Sequence, residues 1–140
     1  MLPDDIIIEM RFRGDGAWLA VCGKTSTVVY FLTQGSLGRY EGNHNVSVGS
    51  LPTSVSWTYH EDTLAVGLAN SSLAVLELNS ATGKFYVRQM INTNHVGGIA
   101  KVFGKKARIY SVGGSDSILQ VWWLNTTTQV WSLNQTLNDV

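Results

Sequence analysis

Apolar and polar residues alternate along short stretches of the chain, which is the pattern that half-buried β-strands produce. The clearest stretch runs from 118 to 123 and follows a turn at 114–117, where Gly, Ser and Asp are typical turn residues. Trp122 and Trp123 are adjacent within it, so they are predicted to lie on opposite faces of one strand. No segment shows the period of an amphipathic helix. The pattern predicts an all-β protein with little helix.

The strand pattern recurs along the chain. When Leu19, Leu64 and Tyr110 are taken as equivalent anchors, the copies lie 45 and 46 residues apart. An aromatic residue stands seven positions before each anchor, and these are Phe12, Trp57 and Phe103. Another stands 21 positions after each anchor, and these are Tyr40, Phe85 and Trp131. Because aromatic residues return at the same place in every copy, they are predicted to form the core between copies.

A period in the mid-forties made of short strands is typical of four-stranded β-propeller blades rather than of helical repeats. We therefore expect three blades at residues 6–42, 54–92 and 99–137, within a single repeat domain at 1–140. The longest connection is predicted at Gly42–Thr53, because this stretch is polar, contains glycine and includes Pro52.

The third copy resembles the WD40 family in its residues. Asp116 stands in the strand–turn–strand pattern where that family has its turn aspartate, and Trp122 stands where it has the blade tryptophan. His95 resembles the histidine of the family's Gly-His dipeptide, although Asn94 replaces the glycine. The resemblance implies structural roles for His95, Asp116 and Trp122, with a hydrogen bond between His95 and Asp116 across the blade.

The resemblance is incomplete in two respects. The strand hydroxyl of the family is expected to be missing, because Val112 and Gly114 flank Gly113 at that place. The first two copies also differ from the family at the turn aspartate and at the tryptophan, where they have Thr25 and Phe31, and Asn70 and Leu76. The chain is therefore interpreted as a degenerate WD40-like propeller segment.

Three blades raise a physical problem, because propellers close with about four to eight blades. A three-blade arc leaves an apolar packing face at each end in contact with water. Three resolutions stay open from the sequence. The chain is a segment of a longer propeller, or it pairs with itself or another chain to complete a ring, or the repeats adopt another fold.

The charge balance of the chain excludes several classes of partner. Lys and Arg number 10, as do Asp and Glu, so we expect no attraction to nucleic acid or to an anionic membrane. No apolar run is long enough for a transmembrane helix, and the acidic start does not resemble a signal peptide. Cys22 is the single cysteine and is expected to pack as a small apolar residue. We expect a cytoplasmic protein.

The sequence offers no convincing catalytic or metal-binding motif. The histidines, His44, His60 and His95, do not show the spacing of metal ligands. The tripeptide Gly23–Thr25 lacks the earlier glycine of a phosphate-binding loop, because Trp18 occupies that position. The serines fall in predicted turns, without a base that a third group orients. We expect no catalytic residue, no metal and no cofactor.

The expected function is that of a non-enzymatic protein–protein interaction scaffold, because loops on a rigid propeller carry recognition. Two alternatives stay open: a module that binds carbohydrate or another small ligand, and a structural segment that completes another chain's propeller. Other proteins, including a second copy of this chain, are the expected partners. The candidate contacts are the loops Gly42–Thr53 and Asn92–Gly98 and the residues Trp123, His44 and Asn94.

Overall fold

The structure is a computed structural model that describes residues 4–58 and 62–138, so His60 lies outside the described residues. Within these residues one 3-10 helical turn occurs, at Ser36–Gly38, and all other regular structure is β-strand. The strands are β1 (Ile7–Phe12), β2 (Trp18–Gly23), β3 (Val28–Gln34), β4 (Tyr40–Ser47), β5 (Pro52–Trp57), β6 (Thr63–Leu68), β7 (Ser72–Asn79), β8 (Lys84–Asn92), β9 (Ile99–Lys105), β10 (Arg108–Gly113), β11 (Ile118–Asn125) and β12 (Val130–Asn138).

The strands form three antiparallel sheets of four strands each. Sheet 1 contains β1–β4, sheet 2 contains β5–β8 and sheet 3 contains β9–β12. Each strand pairs with the next one along the chain, so every sheet is a meander with short connections. The predicted all-β class with three four-stranded repeats is confirmed. Within 4–58 and 62–138, no helix has the length and apolar character needed to cross a membrane.

Short polar side chains close several of the hairpins. The side-chain oxygen of Asn70 accepts the backbone N–H two residues on, at 3.0 Å, and that of Asn125 does so at 2.9 Å. Asp116 makes the same bond at 3.2 Å in the turn between β10 and β11. These bonds satisfy N–H groups that the turns would otherwise leave unpaired, which explains why Asn and Asp stand there.

The sheets stack in chain order, and the first strand of each sheet makes the closest contact with its neighbour. β5 lies against β1 and β2, and β9 lies against β5 and β6. Ser54 Oγ accepts the N–H of Val102 at 3.2 Å, and Ser56 Oγ accepts the N–H of Gly104 at 2.9 Å. Because β9 is an edge strand of its sheet, these hydroxyls satisfy N–H groups that have no strand partner.

Two apolar cores join the three sheets. The core between sheets 1 and 2 includes Cys22, Phe31, Leu64, Leu76 and Phe85. The core between sheets 2 and 3 includes Leu73, Val75, Ile109, Trp122 and Trp131. Cys22 is completely buried in the first of these cores, which confirms that it packs as an apolar residue.

The predicted register contains an error of one residue in two of the repeats. In sheet 1, Leu19 pairs with Leu32, so Leu32 and not Phe31 is the equivalent of Trp122.

The second error lies in the third repeat. Leu64 pairs with Leu76 in sheet 2, as Ile109 pairs with Trp122 in sheet 3. The equivalent of Leu64 is therefore Ile109, and the anchor at Tyr110 lies one residue too far along the chain. Such a shift moves side chains to the opposite face of a sheet. Phe103, the pairing partner of Tyr110, is 59% exposed, so its predicted place in the core is wrong.

The predicted long connection at Gly42–Thr53 is also wrong. β4 occupies Tyr40–Ser47, and β5 begins at Pro52, so the connection between them is short. β4 is the outermost strand of sheet 1, and most of its side chains are exposed. An outer strand needs few apolar residues, which is why its sequence resembles that of a loop.

Candidate protein-binding surfaces

Four polar side chains form a buried chain of hydrogen bonds at one end of sheet 3. His95 Nδ1 lies 3.1 Å from Asp116 Oδ2, and because a carboxylate only accepts, Nδ1 carries the proton. His95 Nε2 lies 2.9 Å from Ser111 Oγ, and Trp122 Nε1 donates to the same oxygen at 2.9 Å. The side chain of His95 is fully buried. The bond between His95 and Asp116 that the WD40 resemblance implies is therefore present.

These bonds tie the connection before β9 to the hairpin of β10 and β11. Asp116 also accepts the backbone N–H groups of Val96, at 2.8 Å, and Ile118, at 3.2 Å. Burial alone would raise the pKa of Asp116, but the bonds from Val96, His95 and Ile118 outweigh it and lower the pKa. The ionised carboxylate is therefore the form that holds the two segments together.

Ser111 supplies the strand hydroxyl, so the prediction that this group is missing is wrong. Ser111 lies two residues after Ile109, which pairs with Trp122, and alternate residues of a strand share a face. Ser111 and Trp122 therefore meet on the side of sheet 3 that packs on sheet 2. This error follows from the register error in the third repeat. Positions counted from Tyr110 point to the residues that flank Gly113, whereas positions counted from Ile109 lead to Ser111.

Ser111, His95 and Asp116 have the bonding order of a catalytic triad, but the site is closed. Ser111 is completely buried, and its oxygen already accepts a hydrogen bond from Trp122. A catalytic serine needs access to a substrate and donors for the developing negative charge. Each of the four side chains instead forms a hydrogen bond with another side chain of the set, which is the arrangement of a structural network.

Sheet 1 carries an apolar face on the side away from sheet 2. We call it the first open face. Its exposed members are Met10 and Phe12, Leu32 and Tyr40 are partly exposed, and Leu19, Val21 and Tyr30 are buried among them. Phe12 is 54% exposed, and its ring lies 5.3 Å from that of Tyr40 at an angle of 63°. The Tyr40 hydroxyl donates to the carbonyl of Gly16, which fixes the ring in place. Among the described residues, no other sheet contributes to this cluster.

Sheet 3 carries a second apolar face on its side away from sheet 2. We call it the last open face, and its members are Phe103, Tyr110, Val112, Leu119, Val121 and Trp123. Trp123 is 43% exposed, and the Arg108 guanidinium lies over its ring, 4.8 Å from the centre. Its neighbour Trp122 is buried, which confirms that the two tryptophans lie on opposite faces.

The other two candidate contact residues lie elsewhere. His44 is in β4 and stacks on Phe31, with 5.2 Å between ring centres, so it belongs to the contact between sheets 1 and 2 rather than to a loop. His44 Nε2 accepts the N–H of Phe85 at 2.8 Å, and burial followed by the nearby charge of Lys84 lowers its pKa. Asn94 is exposed in the connection between β8 and β9.

A cleft of about 360 Å³ opens between sheets 2 and 3, at the end opposite to His95. Glu77 and Arg88 line it, with 2.9 Å between Oε2 and Nη1, and Arg88 also donates to the carbonyl of Gln129 at 3.2 Å. Trp131 lies against the same cleft. In the part of the chain that the structure describes, no three metal-binding side chains come together.

The comparisons with known sequences give one local match. The family model described as the Kelch motif matches residues 106–134, which contain β10 and β11 and the start of β12. A search of curated proteins gave no match.

Solved structures match nearly the whole chain. Hsv2 of Kluyveromyces lactis is 15% identical with a TM-score of 0.72, over 99% of this chain and 49% of Hsv2. A functionally unknown protein from Desulfotomaculum acetoxidans is 13% identical with a TM-score of 0.77, over 96% of this chain and 43% of its own. U3-55K is 14% identical with a TM-score of 0.74, over 99% of this chain and 41% of its own. The chain therefore has the fold of part of a β-propeller, in three four-stranded sheets, and spans less than half the length of these proteins.

Proposed function

We propose that the chain is a non-enzymatic protein-interaction scaffold, built as an arc of WD40-like propeller blades, whose two open faces bind further blades. The observation that carries the proposal is the pair of apolar faces at the two ends of the arc. The proposed place of action is the cytoplasm. The bonds among His95, Ser111, Asp116 and Trp122 support the WD40-like assignment for the third blade.

The exposed area at the two faces favours a protein rather than a small ligand. Phe12 is 54% exposed at one end of the arc, and Phe103 is 59% exposed at the other. Contiguous apolar patches of this kind are uncommon on a soluble monomer and mark protein interfaces. Both faces are the broad sides of β-sheets, which pack on other sheets about 10 Å away.

The loops at the end with His95 are the proposed recognition surface of the completed scaffold. The connection Asn92–Gly98 carries the exposed Asn94 and is anchored through His95 and Val96 to Asp116. A loop that is fixed at its base by buried hydrogen bonds presents its exposed side chains at little cost in ordering entropy. This is the arrangement that a binding loop on a rigid framework requires.

The proposal is tested by the native size of the chain in extracts of its source cells. The tagged chain is expected to elute well above its own mass of 15.3 kDa. Phe12→Glu and Tyr110→Glu each place a charge on one open face. Each is expected to reduce this size, and the two changes together are expected to return the chain to monomer size. Met90→Glu is the matched control, because Met90 is 44% exposed in β8 of sheet 2 and lies on neither face. Elution of the unaltered chain as a monomer would contradict the proposal.

The cleft between sheets 2 and 3 favours a second candidate function, the binding of a small polar ligand. It offers the Glu77–Arg88 pair for hydrogen bonds and Trp131 as an aromatic wall. Titration of tryptophan fluorescence with simple sugars at millimolar concentration tests it. A saturable change that Trp131→Phe abolishes would support this function, and an unchanged spectrum would remove it.

A further inference from the structure

We infer that the partner of the two open faces is a second copy of this chain, so that two chains close a ring of six blades. The inference rests on the proposed function, because it names the protein that covers the faces. The first open face of each copy packs on the last open face of the other. Two identical contacts then leave neither face in water.

The two contacts within the chain show the rule by which sheets stack. β5 of sheet 2 packs on β1 and β2 of sheet 1, and β9 of sheet 3 packs on β5 and β6 of sheet 2. In both cases the first strand of the later sheet lies on the first two strands of the earlier one. Applied once more, the rule places β1 of one copy on β9 and β10 of the second copy. A dimer in which the first open faces of the two copies pack on each other would not have this arrangement of strands.

The first open face already has the aromatic arrangement of a formed interface. Trp57 and Phe85 lie 5.6 Å apart at 66° in sheet 2, where they pack on sheet 1. Phe12 and Tyr40 stand 45 residues before them and lie 5.3 Å apart at 63°. The two pairs have nearly the same geometry, but only the pair in sheet 2 is covered by another sheet. The pair in sheet 1 is therefore half of an interface.

The residues that cover the pair in sheet 2 show what the pair in sheet 1 lacks. Phe31 of sheet 1 stacks on Phe85 with 4.2 Å between ring centres, and Trp18 contacts Phe85 edge-on at 5.2 Å. Both residues lie on the side of sheet 1 that faces the following sheet. Phe12 and Tyr40 therefore require an aromatic surface on a sheet that precedes them in the ring.

The last open face provides such a surface at the equivalent positions. Phe31 pairs with Ala20 in sheet 1, and Val121 pairs with Tyr110 at the same place in sheet 3. In sheet 1 the aromatic member of this pair is Phe31 on β3, whereas in sheet 3 it is Tyr110 on β10. Trp123 on β11 adds a second aromatic ring to the last open face. The last open face is the side of sheet 3 on which a following sheet would pack. The first open face is the side of sheet 1 on which a preceding sheet would pack. The two are complementary halves of one repeating interface.

The length of the chain matches two copies in one ring. The solved structures with this fold are covered over 41% to 49% of their length by one copy. Two copies would therefore cover between 82% and 98% of a chain of that kind. A head-to-tail contact produces a closed ring when its rotation returns to the start, and otherwise it produces a filament. Three blades from each copy give six, which lies within the range of closed propellers.

The test is the mass of the purified full chain, measured by light scattering during size-exclusion chromatography at micromolar concentration. The expected mass is twice 15.3 kDa. Phe12→Glu alone and Tyr110→Glu alone are each expected to give monomers, because each change affects both contacts of the ring. A mixture of the two variants is expected to regain a dimer, because one of its two contacts then joins unaltered faces. Met90→Glu, on β8 of sheet 2, is the control and is expected to remain dimeric.

Each other outcome overturns the inference. A monomeric unaltered chain does so, and if the chain is nevertheless large in cell extracts, the partner is a different protein and the proposed function stands. A filament or a larger oligomer excludes the six-blade ring. A loss of dimer in Phe12→Glu but not in Tyr110→Glu would show that two first open faces meet. Far-ultraviolet circular dichroism of each variant, together with the recovery in the mixture, separates loss of the contact from loss of the fold.

Discussion

The indole N–H of Trp122 donates to the hydroxyl of Ser111 at 2.9 Å, between two neighbouring strands of sheet 3. In the neutral form of His95, the Ser111 hydroxyl can in turn donate to Nε2, while Nδ1–H donates to Asp116. Ser111 therefore connects Trp122 on β11 with His95 in the connection before β9 through hydrogen bonds. Since it is completely buried, water cannot replace it without a rearrangement of the sheet.

Replacement of Ser111 by alanine should destabilise the protein by about 1–3 kcal/mol, because it leaves the buried Trp122 N–H and His95 Nε2 without partners. Urea unfolding followed by tryptophan fluorescence measures this change. Ser132→Ala is the control, since Ser132 is exposed on β12, and it should change the free energy of unfolding by less than about 0.5 kcal/mol. Equal effects of the two changes would show that the network does not stabilise the fold.

Gly104→Ala should destabilise the protein by about 1–3 kcal/mol through overpacking. A β-carbon at this position would lie 2.5 Å from the carbonyl oxygen of Trp57 and 3.0 Å from the α-carbon of Thr58. Both are backbone atoms, so β9 would have to move away from β5. Thermal unfolding measures the effect, with the exposed Lys105→Ala as the control. An unchanged unfolding temperature for Gly104→Ala would contradict the close packing of sheets 2 and 3.

The stability of the contact between sheets 1 and 2 should depend on His44 and fall as the pH is lowered. Burial, and then the charge of Lys84, lowers the pKa of His44 from its ordinary value of 6.5. The unprotonated Nε2 accepts the N–H of Phe85, and protonation would break this bond. The unfolded state then binds more protons than the folded state below about pH 6.5. The stabilisation is therefore complete above that pH and is lost as the pH falls through the lower folded pKa.

His44→Gln provides the control for this effect, since an amide oxygen also accepts a hydrogen bond but does not titrate in this range. The free energy of unfolding is measured in both proteins from pH 7.5 to 5.5. The native protein should lose more stability over this range than His44→Gln does. Parallel curves would show that His44 is protonated equally in the folded and unfolded states.

The Cys22 thiol should be inert in the folded protein. Burial, and then the negative charge of Glu9, raises the pKa of Cys22 to about 12, while an unfolded thiol has a pKa of about 8.5. Only the thiolate reacts with a disulfide reagent, so labelling at pH 8 should be at least about a hundredfold slower in the folded protein than in guanidinium chloride. Rapid labelling without denaturant would mean that sheets 1 and 2 separate readily.

The sequence allowed the blade architecture to be predicted because its aromatic landmarks are physical features of the core. Phe85 and Trp131 are both buried at equivalent places between sheets. The position of Tyr110 could not be fixed in the same way. Both Ile109 and Tyr110 are large and apolar, and the length of the hairpin turn decides which of them faces sheet 2. This one-residue choice also determines whether Ser111 meets Trp122, so the network was found only in the structure.

The open faces show a second limit of sequence patterns. Phe12 and Trp57 occupy equivalent positions, yet Trp57 packs against another sheet and Phe12 is exposed. Alternation of apolar and polar residues shows which side of a strand prefers burial, but not what covers it. β4 illustrates the opposite case, because its polar side chains belong to an outer strand whose backbone pairing with β3 maintains the structure.

Photo-cross-linking from Phe12 identifies the surface that covers the first open face. Benzoylphenylalanine replaces Phe12, and chains labelled with nitrogen-15 are mixed with unlabelled chains before irradiation, so that links between chains carry both labels. If the two open faces are halves of one interface, the cross-linked peptide of the other chain lies within Ile99–Asn125, which contains β9, β10 and β11. Links that map to β1–β3 of the other chain, or no link between labelled and unlabelled chains, would show that the two open faces do not form one interface.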